Sequence, residues 1–163
     1  PWWGFKLNTD ARVVNGRARG GGGVLQCPEG KVVFVFYREF GEMDVVLTEG
    51  IALMERLVIC FHRELQGITV EVDSLALLHL VKAGSMGRWS MLNIIRRVRW
   101  LLQKLSASIT HVFREANRVA DSLAGLNIQG SQVVEAHHCL PRFVRGLFAL
   151  DARECPSVRY GYV

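Results

Sequence analysis

Two aspartates in this sequence stand where a carboxylate can do chemistry. In "GFKLNTDA", Phe5, Leu7 and Thr9 alternate with Lys6, Asn8 and Asp10, which reads as a strand whose polar face closes on Asp10. In "ITVEVDS", Ile68, Val70 and Val72 alternate with Thr69, Glu71 and Asp73, so Asp73 takes the equivalent terminal place. By itself, an aspartate after a strand is an ordinary turn former. Between the two runs, however, lies "LTEGIALMERLVICFHRELQG", where Ile51, Met54, Leu57, Val58, Phe61 and Leu65 recur at helical spacing and Gly67 supplies a stop. A helix of that length is a sufficient crossover for the flanking strands to pair in parallel, which would make Asp10 and Asp73 neighbours at one sheet end. Carboxylates brought that close repel one another unless a cation neutralises them.

The elements around them follow from the same patterns. "NGRARGGGG" reads as a turn-rich connection into the short apolar run "GVLQC". Its four glycines are expected to allow a tight, mobile turn; they are no phosphate-binding loop, because no Lys-Ser/Thr pair follows. "KVVFVFYREF" is a third strand, rich in β-branched and aromatic residues. "SLALLHLVKAG" is a short helix closed by Gly84, and "RWSMLNIIRRVRWLLQKL" a longer one with Met91, Ile94, Ile95, Val98, Leu101, Leu102 and Leu105 toward the core. "ASITHVFRE" reads as a fifth strand and "ANRVADSLAGLN" as a last helix. Three strands, helix, strand, two helices, strand, helix make an α/β domain over residues 1–128. The tail, 129–163, is less regular, is expected to pack on or extend the same domain, and holds one possible short helix in "LPRFVRGLFAL".

A chain of 163 residues, half of them hydrophobic, can build one core without staples, and no apolar run is long enough to span a bilayer. A start at "PWWGF" without Met suggests a segment of a longer protein. Cys27, Cys60, Cys139 and Cys155 are scattered with no CxxC pair, which suggests free thiols in an intracellular setting, nucleus or cytoplasm. His137, His138 and Cys139 lack the second pair of ligands that a zinc site needs. The net charge is +5, and from Ser74 to Arg114 there is no acidic residue, against Lys82, Arg88, Arg96, Arg97, Arg99, Lys104 and Arg114. Such a stretch is either a solvated helix face or a field suited to a polyanion.

With "KLNTDA", "TEGIALMERL", "VEVDSLALL" and "HVFREANRVADSLA" in that order, the sequence resembles ribonuclease H, and more closely the plant-type ribonuclease H-like domain of retrotransposon polyproteins. The resemblance covers about residues 4 to 126. It implies a five-stranded mixed sheet in the order 3-2-1-4-5 flanked by helices. It also implies a catalytic and metal-binding set of four carboxylates, Asp10, Glu49, Asp73 and Asp121, holding two Mg²⁺ ions, with Mn²⁺ as a substitute. Asp10 would bridge the ions, with Glu49 and Asp73 on one side and Asp121 on the other. Hard Mg²⁺ prefers oxygen ligands, and two ions about 4 Å apart can activate water and stabilise the leaving oxygen of a phosphodiester. Taken singly, Asp10 and Asp73 are turn formers, Glu49 a first-turn helix acid and Asp121 a solvated helix residue; only together do they make a site.

The implied activity is hydrolysis of the RNA strand of an RNA/DNA hybrid, beside an adjacent reverse transcriptase domain. Candidate nucleic-acid contacts are Arg12, Asn15 and Arg17 in the loop beside Asp10, Ser74 and Asn117 near the acids, and Arg96 and Arg97 on the acid-free helix. For Ser74 and Asn117, helix capping is the competing role. The sequence departs from the family's pattern at Ala11 and Gly50, where Gly and Ala are usual, and in lacking a loop with a catalytic histidine before the last helix; His111 falls in the fifth strand. Two other readings share these residues: a non-catalytic nucleic-acid-binding module, and another two-metal nuclease of the same fold.

Overall fold

Alternation along the first strand sets up the whole sheet. The computed structural model describes residues 4–84, 89–113, 119–120, 131–134, 142 and 145–146, the side chains of 17–19 and 131–134 excepted. Strand β1 (Phe5–Val14) turns at Asn15-Gly16 into β2 (Arg17–Gln26), and β3 (Val32–Met43) continues the antiparallel meander. Asn15 and Gly16 both have positive φ, 51° and 75°, which is how a two-residue hairpin matches the twist of its strands. Helix α1 (Val45–His62) then crosses over, and β4 (Ile68–Val72) pairs in parallel with β1. Helices α2 (Leu75–Ala83) and α3 (Trp89–Lys104) lead to β5 (Ser108–His111), parallel to β4. These five strands take the order 3-2-1-4-5. A sixth, β6 (Ser131–Val134), for which the tail carries no strand signal, pairs antiparallel with the outer edge of β3.

The core lies between one sheet face and the three helices. Leu7, Leu25, Phe34, Phe36, Ile68, Val70 and Val72 meet Leu53 and Leu57 of α1, Leu77 and Val81 of α2, and Met91, Ile95, Val98 and Leu101 of α3. The buried side of α3 follows its sequence pattern. That of α1 is rotated from its pattern: the buried residues are Ala52, Leu53, Arg56, Leu57 and Cys60, whereas Phe61 is exposed. An arginine in the middle of the stripe hides the true phase. Helix α1 also ends earlier than Gly67, with Arg63 as its C-cap, and Gly67 serves a left-handed turn (φ 68°) into β4.

The glycine run is where the sequence reading fails most. Gly20, Gly21, Gly22 and Gly23 are no turn; they are the middle of β2, paired on both sides. Glycine has weak strand propensity, so local pattern cannot place it there. Its reason is tertiary. A Cβ on Gly23 would lie 2.6 Å from Nε of Arg56, and one on Gly21 would lie 2.9 Å from the Phe40 ring and 3.1 Å from Ala52 Cβ. The missing side chains leave the slot that the fully buried Arg56 fills, its guanidinium 4.3 Å from the centre of the Phe36 ring. Accordingly, Gly23→Ala should lower the unfolding free energy by about 2 kcal/mol, the usual cost of overpacking. In an Arg56→Ala background the same change should cost less than about 1 kcal/mol, a coupling that urea denaturation of the double-mutant cycle would measure.

Candidate metal centre

Strands β1 and β4 stay paired only as far as Thr9 and Val72. Beyond that step β1 runs on beside β2, with Asp10 opposite Gly22, while β4 ends and Asp73 leads into α2. Asp10 therefore does not end its strand; it lies inside β1, at the point where the partner strand departs. Into this parting comes Glu49. Helix α1 starts at the N-cap Asp44, whose side chain accepts a 3.0 Å hydrogen bond from Leu47 N. That cap puts Glu49 in the second turn, not the first. Asp10, Glu49 and Asp73 each offer a ligand oxygen, and these oxygens lie within 4.8 Å of one another.

Several contacts hold the three in place. The Ala11 N–H donates to Asp10 Oδ1 at 2.7 Å, fixing the carboxylate against its own strand. Ala11 is almost wholly buried and is absent from the positive-φ residues, so alanine fits where the family favours glycine. His111, at the end of β5, lies with Nε2 3.2 Å from the Asp73 carbonyl oxygen. A carbonyl only accepts, so Nε2 carries the proton and the hydrogen bond anchors the Asp73 main chain. One register step back, Asn8 Nδ2 donates to Glu71 Oε2 at 2.6 Å across the β1–β4 pair, both residues being buried. Sequence reasoning put Asn8 and Glu71 on the polar faces of their strands without assigning them a part; their equal distance from Asp10 and Asp73 was the available signal.

A hard divalent cation fits this donor set. Three carboxylates from three elements, one buried and two half-buried, converge within a span that one or two oxygen-ligated ions can bridge. Gly50, beside Glu49, lets α1 approach α3: a Cβ there would meet Ile94 Cγ2 at 3.3 Å.

The other predicted site residues are placed less closely. Asp121 and Asn117 lie outside the described residues, as does the Arg17 side chain. Arg12 is within β1, Asn15 is the exposed first residue of the hairpin turn, and Arg17 opens β2, so these belong to a hairpin and not to a loop at Asp10. Ser74 caps α2, its Oγ accepting from Leu77 N at 3.2 Å. Arg96 and Arg97 are exposed on α3, which packs on α1 and α2. Arg99 donates to the carbonyl oxygens of Val81 and Lys82 at the end of α2.

Residues 8–126 match the family described as reverse transcriptase-like. The chain belongs to that family. Over 121 residues it is 31% identical to an Arabidopsis thaliana protein named "Putative ribonuclease H protein"; the match takes in 73% of this chain and 20% of that protein, so the chain spans about a fifth of its relative's length. Among solved structures, ribonuclease H1 of the archaeon Halobacterium salinarum NRC-1 superposes with a TM-score of 0.67 at 23% identity, covering 74% of this chain and 94% of that one. LC11 ribonuclease H1, crystallised with an RNA/DNA hybrid, superposes with a TM-score of 0.64 at 16% identity, covering 73% and 92%. This member of the family thus has the ribonuclease H-like fold, with an acidic cluster compatible with divalent metal. No helix among its described residues is long and apolar enough to cross a membrane.

The Asn8–Glu71 bridge gives a direct test of how the site is held. Asn8→Ala leaves Glu71 Oε2 buried without that donor, and should cost about 2 kcal/mol in urea denaturation. Asn8→Ser, small and still polar, should recover part of the loss.

Proposed function

We propose that this domain is a Mg²⁺-dependent endoribonuclease that hydrolyses the RNA strand of RNA/DNA hybrids. The observation that carries the reading is the convergence of Asp10, Glu49 and Asp73 at the parting of β1 and β4. Asp10, Glu49 and Asp73 would hold the metal, with Asp121 as the fourth carboxylate of the set. Bound there, Mg²⁺ or Mn²⁺ supplies Lewis-acid activation of water and stabilises charge on the leaving oxygen. The chain's own residues do the positioning: the Ala11 N–H orients Asp10, and His111 steadies the main chain at Asp73. RNA is told from DNA by contacts to 2′-hydroxyls in the minor groove. The hybrid preference is supported by the relatives, one named for ribonuclease H and one crystallised with such a hybrid.

The exposed Arg96 and Arg97, with Arg12, Asn15, Arg17, Ser74 and Asn117, are assigned to the nucleic-acid backbone, where contacts confer affinity without sequence preference. The family's name and the plant relative support descent from a retrotransposon polyprotein and action beside a reverse transcriptase domain; the same reading assigns the protein an intracellular location.

Incubation with labelled RNA/DNA hybrid, double-stranded RNA and duplex DNA tests the reading. Cleavage is expected for the hybrid alone, in Mg²⁺ and not in chelator. Asp73→Asn or Asp10→Asn should reduce it on the order of a thousandfold, several kcal/mol of lost metal catalysis. Tight metal-independent binding without cleavage would replace the enzyme by a binding module. Separately, Arg96→Ala and Arg97→Ala should each weaken hybrid binding and lower the slope of log affinity against log salt by about 1.

A further inference from the structure

Arg56 is the largest fully buried side chain among the described residues, at 0% exposure. Its Nη1 donates to the Ala52 carbonyl oxygen one turn back, while Nε and Nη2 have no hydrogen-bond partner among the described residues. A guanidinium so enclosed is costly, and is kept only where opposite charge compensates it. The adjacent Glu55 is engaged on the surface side by Arg38. The sheet offers the other compensation. Arg56 lies beneath Gly21 and Gly23, which pair with Ala11 and Thr9, the residues on either side of Asp10. On α1 it follows Glu49 by two turns, about 10 Å along the helix axis. Gly22, the partner of Asp10, lies between those two glycines, so by alternation Asp10 faces the other side of the β1–β2 pair from Arg56, whereas Glu49 shares a helix with it. Burial lowers its pKa to about 9, opposed first by the Glu55 carboxylate and, after the added lowering by Arg38, by that of Asp10, so it carries its charge at neutral pH.

Building on the metal-dependent reading above, we propose that Arg56 is the resident counter-charge of the carboxylate cluster. It is a positioning residue that keeps Asp10, Glu49 and Asp73 together when no divalent cation is bound, and that holds the affinity for such a cation down once one binds. The glycines of β2 are then part of the metal site, since they make the slot that admits the charge. At a separation near 10 Å and an effective dielectric of about 20, one fixed positive charge alters divalent-ion affinity on the order of a hundredfold.

The test is Mg²⁺ titration of the whole chain by calorimetry, with the Mg²⁺-induced rise in Tm alongside. Arg56→Met and Arg56→Gln, which remove the charge, should bind Mg²⁺ on the order of a hundredfold more tightly and show a larger rise in Tm. Arg56→Lys, which keeps it, should match the wild type. A neutral variant that folds only when Mg²⁺ is present also supports the proposal, because the cation then replaces the guanidinium. Folded neutral variants with unchanged or weaker Mg²⁺ affinity would overturn it, as would neutral variants that stay unfolded at saturating Mg²⁺. If the wild type itself binds no Mg²⁺, the metal-dependent reading falls and takes this proposal with it; unchanged affinity among variants that bind removes this proposal alone.

Discussion

Like charges held within 4.8 Å in a partly dry place are the constraint around which this domain is arranged. Carboxylates in solution would separate; here three different elements force them together. Parallel pairing of β1 with β4 brings Asp10 and Asp73 to one end of the sheet, and the crossover α1 that makes such pairing possible also delivers Glu49. The same chain segment thus sets the strand direction and supplies the third ligand. Loss of pairing after Thr9 and Val72 opens the sheet locally, so the carboxylates meet at a gap in the hydrogen-bond ladder, in an arrangement compatible with a divalent cation.

Repulsion at that gap has to be resisted by the surrounding contacts. The Asn8–Glu71 hydrogen bond locks the two strands one step before they part, and His111 ties the main chain at Asp73 to β5. Ala11 does more than tolerate a position where glycine is common, because its N–H is a fixed donor to Asp10. Below the sheet, Arg56 stacks on Phe36, and Arg63 lies over Phe34 two residues along the same strand. Helix α1 therefore meets β3 through cations on aromatic faces as well as through its leucines. Four consecutive glycines in β2 then read as a volume requirement, stated by the side chain that fills it.

Much of this was legible in the chain. Strand alternation around Leu7 and Val70, the long helix between them and the acid-free helix with its leucines all appear in the structure as read, because each depends on local periodicity. So does the prospect of two aspartates at one sheet end, which needs only strand direction and the crossover rule. What was misread had a nonlocal cause: the glycine strand, whose propensity is overruled by Arg56, and the buried face of α1, whose phase that same arginine disguises. The sixth strand was missed because "SQVV", two polar residues followed by two valines, is too short to show alternation, and it is set by its edge position beside β3.

By itself, the sequence determined the order and type of the first five strands and three helices, the family motifs, and which acids are candidates, since these rest on residue type and spacing. Its expected last helix, in "ANRVADSLAGLN", lies almost wholly outside the described residues. Only the tertiary structure decided that Glu49 reaches Asp10 and Asp73, that Asp10 sits inside its strand at the parting of the sheet, and that a guanidinium is buried against the glycines of β2. Those facts depend on register and on which side chain fills which space, and neither is encoded in any one segment of the chain.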